Sequence, residues 1–181
     1  MPSRGTSCVH ELIRTICPPR ERSFITRAAA WATRKQPVRL TSSVRRQAAA
    51  RVMKDRSRGG QIVLMSSWTQ DVPRDGIGAY CTSKSGLKML AKCLALELGP
   101  AGIRVNLVAP GFVDAGLTGQ NLRRNPGLRP GMEASIPLGR LISVEELART
   151  VRMLCSDDAA YLTGATITVD GGSSLFYRRQ D

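Results

Sequence analysis

The sequence predicts an α/β protein organised around a parallel sheet. Three observations carry that prediction. Gln61 to Ser66, Ile103 to Val108 and Thr166 to Val169 are short apolar or β-branched runs bounded by turn residues, as buried strands are. Leu87, Leu90, Ala91, Leu94 and Leu98 recur at helical spacing between the first two runs. Ser143-Val144-Glu145-Glu146 opens another helix ahead of the third. Strands that alternate with helices in this way are joined by crossovers, and the sheet is then parallel.

Residues 1–40 carry little pattern, and Cys17-Pro18-Pro19 and Gln36-Pro37 interrupt any helix there. Ser42 or Ser43 can cap a helix running to about Ser57, with Ala48, Ala49, Val52 and Met53 as its apolar face and Gly59-Gly60 as its stop. The strand at 61–66 follows. Pro73, Gly76 and Gly78 make 71–78 a loop. The strongest helix spans Ala79 to Leu98 and is stopped by Gly99-Pro100-Ala101-Gly102. The strand at 103–108 ends at Ala109-Pro110-Gly111, and a long loop is expected through Pro137. The capped helix runs from Ser143 to about Cys155, and Asp170-Gly171-Gly172 closes the last strand. No internal repeat is present.

The chain of 181 residues is long enough for one domain with a real core. Its net charge of +13 is uneven. Residues 1–60 hold 14 Lys or Arg against 3 acidic residues, and residues 61–181 hold 13 against 11. A near-neutral globular part thus follows a basic front. Residues 1–40 are expected to be a poorly ordered basic arm, 41–175 the globular part and 176–181 a tail. A basic arm attracts polyanions. Phe24 and Trp31 are the only aromatics among residues 1–60, so the aromatic interleaving of a nucleic-acid binder is lacking. Cys8, Cys17, Cys81, Cys93 and Cys155 form no CxxC pair, and His10 is the sole histidine, which leaves no zinc set and no Cys-His or Ser-His nucleophile. No apolar run reaches membrane-spanning length. A cytoplasmic location is expected. The stretch Ser23 to Ala28 has some features of a mitochondrial presequence, which Glu11 and Glu21 oppose.

The chemistry is concentrated in Tyr80 and Lys84, four residues apart on the strongest helix, and in Ser67, thirteen residues before the tyrosine. A phenol titrates near pH 10 and is a poor acid or base at neutral pH. An ammonium one turn along the same face favours the phenolate, and a hydroxyl at the neighbouring strand end can hold a substrate oxygen. Ser66 competes with Ser67 for that role. Lys84, Lys88 and Lys92 also fit a solvated stripe.

Met65-Ser66-Ser67, Tyr80-x-x-x-Lys84, Ile103-Arg104-Val105-Asn106, Ala109-Pro110-Gly111, Ile136-Pro137-Leu138-Gly139-Arg140 and Val169-Asp170-Gly171-Gly172 stand in order. With these motifs, residues 40–175 resemble the catalytic, C-terminal part of the classical short-chain dehydrogenases/reductases. The resemblance implies a Rossmann-like doubly wound parallel sheet, here N-terminally truncated. It implies an NAD(P)-dependent oxidoreductase that interconverts an alcohol and a ketone. Tyr80 would be the proton donor or acceptor, and Lys84 would tune it and hold the nicotinamide ribose. Ser67 would orient the carbonyl. Tyr80, Lys84, Pro110, Gly111 and Val113 would meet the nicotinamide end of NAD or NADP.

The departures matter equally. Neither G-x-G-x-x-G nor Gly-x-x-x-Gly-x-Gly occurs in the chain, and the family's Asn-Asn-Ala-Gly segment is absent. Four further strands would need on the order of 70–90 residues ahead of Gln61. Arg39 stands where the family commonly has asparagine, and Ala115 where it has threonine. The competing expectation is therefore a catalytically inactive remnant serving as a dimerisation or interaction module. The family resemblance implies a homo-oligomer built on the helices near 42–57 and 79–98. A small alcohol or ketone is the expected partner, without membrane or nucleic acid. The Gly- and Arg-rich loop 112–135 would face the substrate.

Overall fold

In the computed structural model, residues 59–175 are described. The basic arm at 1–40, the expected helix to Ser57 and the tail at 176–181 lie outside the described residues. Strand β1 (Gly60–Met65) pairs in parallel with β2 (Ile103–Pro110), from Gly60 opposite Ile103 to Met65 opposite Val108. β2 pairs in parallel with β3 (Thr166–Val169), from Leu107 opposite Thr166 to Pro110 opposite Val169. The order is β1-β2-β3, so among the described residues β1 is paired on one side only.

Both faces of this sheet are covered, which explains why its strands read as apolar runs rather than as alternations. Helix α1 (Gly78–Leu98) lies on one face. Its Ala91, Leu94, Ala95 and Leu98 pack against Leu64, Ile103, Val105, Leu107 and Ala109. The other face receives α4 (Val144–Leu154), whose Leu147, Ala148, Val151 and Leu154 meet Val108, Val63, Met65, Ile167 and Val169. The α4 start is the capping box expected. Ser143 Oγ accepts from the Glu146 N–H while the Glu146 carboxylate accepts from the Ser143 N–H. Arg140 also grips that carboxylate, and the hydrogen bond from its guanidinium is the main reason the Glu146 pKa falls to about 2.

The Ile103-Arg104-Val105-Asn106 run has a visible purpose. Asn106, fully buried, donates from Nδ2 to Leu162 O (2.7 Å) and accepts at Oδ1 from Ala165 N (3.1 Å), which fixes the turn entering β3. Arg104 donates to Gln61 Oε1 (2.6 Å) on β1 and to Leu154 O (3.2 Å) at the end of α4. Two polar side chains thus tie the sheet to the segment that follows it.

The expectation of a continuous loop through Pro137 is corrected. That segment contains α2 (Gly116–Arg124) and α3 (Leu128–Ala134). Only Leu122 of α2 is a buried large residue; it packs with Ile136 and Leu141 in a small satellite cluster. Pro130 falls in the first turn of α3, where a missing N–H costs nothing. β2 also extends through Ala109 and Pro110, beyond the expected Val108.

Candidate active site

The residues singled out from the sequence lie around the C-terminal ends of β1 and β2, where parallel α/β sheets place their sites. Met65 ends β1, and Ser67 caps a short turn of 3₁₀ helix, Trp68–Gln70. This turn is bonded to α1, since Ser85 Oγ donates to Gln70 O (2.6 Å). Tyr80 and Lys84 sit on the first turns of α1.

The two serines have different tasks. Ser66 Oγ donates to the backbone carbonyl of Lys84 (3.3 Å), fastening α1 to the strand end. Ser67 Oγ accepts from Thr69 Oγ1 (2.9 Å) and from the Thr69 N–H (3.4 Å), and its hydroxyl acts to lower the Tyr80 pKa. With an oxygen lone pair occupied by Thr69, the Ser67 proton is left to point elsewhere. Thr69 was not marked by any sequence pattern, because its role comes from a turn that brings hydroxyls two residues apart into contact.

Lys84 is buried, only 6 % exposed. Its Nζ donates to Met65 O (3.3 Å) and lies 5.5 Å from the centre of the Tyr80 ring. The lysine series therefore splits. Lys88 forms an exposed ion pair with Asp71 (2.7 Å), Lys92 is in solvent, and Lys84 is withdrawn from it. Burial alone lowers the Lys84 pKa to about 8. A buried ammonium bonded to one carbonyl has further N–H donors to offer. That suits a hydroxyl-bearing ligand such as a ribose.

Tyr80 differs from the expectation of an acidified phenol. Its pKa is raised, first by burial, with the Ser67 hydrogen bond working in the opposite direction and Cys81 adding to the rise. The helical neighbour Lys84 does not offset this burial. The residue nevertheless remains 38 % exposed, so it is accessible to a small molecule.

Pro110, Gly111 and Val113 follow one another at the end of β2. Pro110 is opposite Val169, Gly111 N donates to Val169 O (2.9 Å), and Val113 bridges to Ile142. A side chain on Gly111 would place its Cβ 2.7 Å from the Asp170 Cα, so glycine here allows β2 and the turn after β3 to touch. A Cβ on Gly172, at φ +93°, would likewise fall 2.7 Å from Pro137 Cγ. These contacts give the Pro-Gly and Asp-Gly-Gly motifs a packing role of their own. Next to Ser67 and Gly111, Trp68 and Phe112 meet edge to face, with ring centres 5.7 Å apart.

Two properties bear on reach. No helix among the described residues is long and apolar enough to cross a membrane, and none of their acidic, His or Cys side chains cluster as a metal site would require.

Known proteins share this fold and sequence pattern. The family model described as enoyl-(acyl carrier protein) reductase matches residues 15–174. A 3-oxoacyl-(acyl-carrier-protein) reductase of Pseudomonas aeruginosa is 42 % identical over 118 residues, which is 65 % of this chain and 46 % of that protein. A short-chain type dehydrogenase/reductase of Mycobacterium marinum superposes with a TM-score of 0.63 at 36 % identity, over 70 % of this chain and 49 % of that one. A gluconate 5-dehydrogenase of Burkholderia cenocepacia, solved with NADP and tartrate, superposes with a TM-score of 0.66 at 29 % identity, over 71 % and 50 %. The chain spans about half the length of the curated relatives it matches. Its Rossmann-like parallel sheet, its ordered motifs and these matches together place it in the short-chain dehydrogenase/reductase family, a family of oxidoreductases.

Proposed function

We propose that this chain carries the proton-transfer half of an NAD(P)-dependent alcohol/ketone oxidoreductase. The observation that supports this most is the convergence of Ser67, Tyr80 and Lys84 beyond the ends of β1 and β2. In the reducing direction the substrate carbonyl oxygen sits between the Ser67 and Tyr80 hydroxyls. Ser67 donates a hydrogen bond to it and steadies its developing charge. Tyr80 then gives that oxygen its proton, and oxidation reverses the step. A high phenol pKa suits Tyr80 to the acid role, because the hydroxyl stays protonated until the alkoxide forms.

The bound nicotinamide would supply or take up the hydride at the carbonyl carbon. Lys84 would hold its ribose through the donors that Met65 leaves unused, with Tyr80 on the same face. Pro110, Gly111 and Val113 would border the ring. The proposed location is the cytoplasm, in keeping with the unpaired Cys81 and Cys93 thiols.

A second feature favours a self-associated form. Met89 and Leu96 are 60 % and 81 % exposed on α1, with Cys93 exposed between them, so the outer side of α1 carries an apolar strip. We read that strip as part of a homo-oligomer contact. It would serve an inactive interaction module as well as an enzyme.

The pyrophosphate and adenine ends of the cofactor find no glycine-rich turn in this sequence. The 181-residue chain is therefore expected to bind NADH and NADPH weakly and to reduce ketones slowly. Fluorescence titration of both cofactors, followed by turnover on a panel of small ketones, tests the proposal. Tyr80→Phe should lower turnover by about 100-fold or more while leaving the fold intact. Turnover that survives this substitution would rule out the proposed role of Tyr80.

A further inference from the structure

The loop between the Ser67 turn and α1 carries a cation in an unusual setting. Arg74 lies with its guanidinium carbon 5.5 Å from the centre of the Trp68 ring and 5.5 Å from the centre of the Phe112 ring. The two rings come from different strand ends and already brace each other. Trp68 directly follows Ser67, and Phe112 directly follows Gly111. Arg74 is thus held by the sequence neighbours of Ser67 and Gly111, at the same end of the sheet as the candidate site.

Its charge is otherwise uncommitted. Among the described residues, Arg74 has neither an ion pair nor a hydrogen bond. Asp71, three residues before it, is paired with Lys88 (2.7 Å), and Asp114, two residues after Phe112, is paired with Arg129 (2.8 Å). Asp75 follows Arg74 in the exposed loop without pairing to it. Contact with aromatic rings restricts a long, flexible side chain while leaving its planar N–H fork available. A fork of that shape matches one carboxylate through two parallel hydrogen bonds.

We propose that Arg74 is a specificity residue that receives a carboxylate borne by the substrate, making the preferred substrates oxo acids and their hydroxy-acid counterparts. The inference rests on the oxidoreductase reading of the same cleft. Asp71 and Asp114 are neutralised by their own partners, so they do not oppose an anion there.

The test compares 2-oxobutanoate, 4-oxopentanoate and 5-oxohexanoate with their methyl esters. Binding to the full chain is measured by calorimetry and by tryptophan fluorescence, since Trp68 lies against Arg74. At least one acid should bind wild type about 10-fold tighter or more than its ester, the range expected for a charged hydrogen-bonded pair. Arg74→Gln should abolish that preference while leaving ester affinity unchanged, and Arg74→Lys should restore it only in part. Circular dichroism of each variant checks that the fold is kept. Equal affinity for acids and esters, a preference that survives Arg74→Gln, or binding of no oxo acid would each overturn the proposal. Titration of NADH and NADPH in the same samples separates the two levels. Cofactor and ester binding without acid preference refutes the role of Arg74 alone, whereas loss of all of them contradicts the oxidoreductase reading as well.

Discussion

Lys84 shows how one buried side chain links stability to chemistry. Folding lowers its pKa from 10.5 to about 8 by desolvation. Below about pH 8 the ammonium is charged in both the folded and unfolded chain, and the full burial penalty is present. Between about 8 and 10.5 the folded protein has released the proton and the unfolded chain still binds it, so stability rises with pH through that window. A shift of this size corresponds to on the order of 3 kcal/mol. Lys84→Met should therefore be more stable than wild type at pH 7, by about 1–3 kcal/mol, with the difference shrinking towards pH 10. Denaturant melts at the two pH values check this, and a constant difference would contradict it. Such a cost is understandable if the ammonium is kept for a ligand. The candidate triplet was legible in the sequence because it is local: thirteen residues separate Ser67 from Tyr80, and one helical turn separates Tyr80 from Lys84. The choice of Ser67 over Ser66 rested there on spacing alone, and their hydrogen bonds now distinguish them. Thr69 and the Arg74–Trp68–Phe112 group were not legible. Their meaning depends on side chains meeting after the strands have been aligned.

At the scale of elements, the parallel sheet and the two long helices followed from pattern because burial on both faces leaves a strong signal. β3 and the α4 capping box matched expectation closely. The short α2 and α3 did not, because few of their residues are buried and their Gly, Pro and Arg content resembles a loop. Contacts across the turn after β2 yield a sharper prediction. Gly111→Ala would force the Pro110-Gly111 turn away from Asp170, and overpacking of this kind costs about 1–3 kcal/mol. A lowered midpoint in denaturant is the expected result. The outer side of α1 supplies another. Wild type should sediment as an oligomer, and the double substitution Met89→Glu and Leu96→Glu should give monomers with an unchanged helical spectrum. A monomeric wild type would remove the proposed contact.

For the molecule as a whole, the described part unites two layers of helix around three parallel strands, and the proton machinery stands at one end of it. The family assignment needed the register of several motifs together, since Tyr-x-x-x-Lys alone is too common to carry it. What lay beyond the sequence was the balance of charge at the site: a raised tyrosine, a weakened lysine and an arginine beside two aromatic rings. The most direct measurement is deuterium transfer under single-turnover conditions. Concentrated protein is mixed with NADH or NADPH carrying deuterium at the nicotinamide C4 position and with a small ketone, and the alcohol is analysed by mass spectrometry. Wild type should give alcohol labelled on the carbinol carbon, and Tyr80→Phe should give essentially none. Absence of labelled alcohol from wild type at saturating cofactor, or equal labelling by Tyr80→Phe, would contradict a working Ser67–Tyr80–Lys84 site.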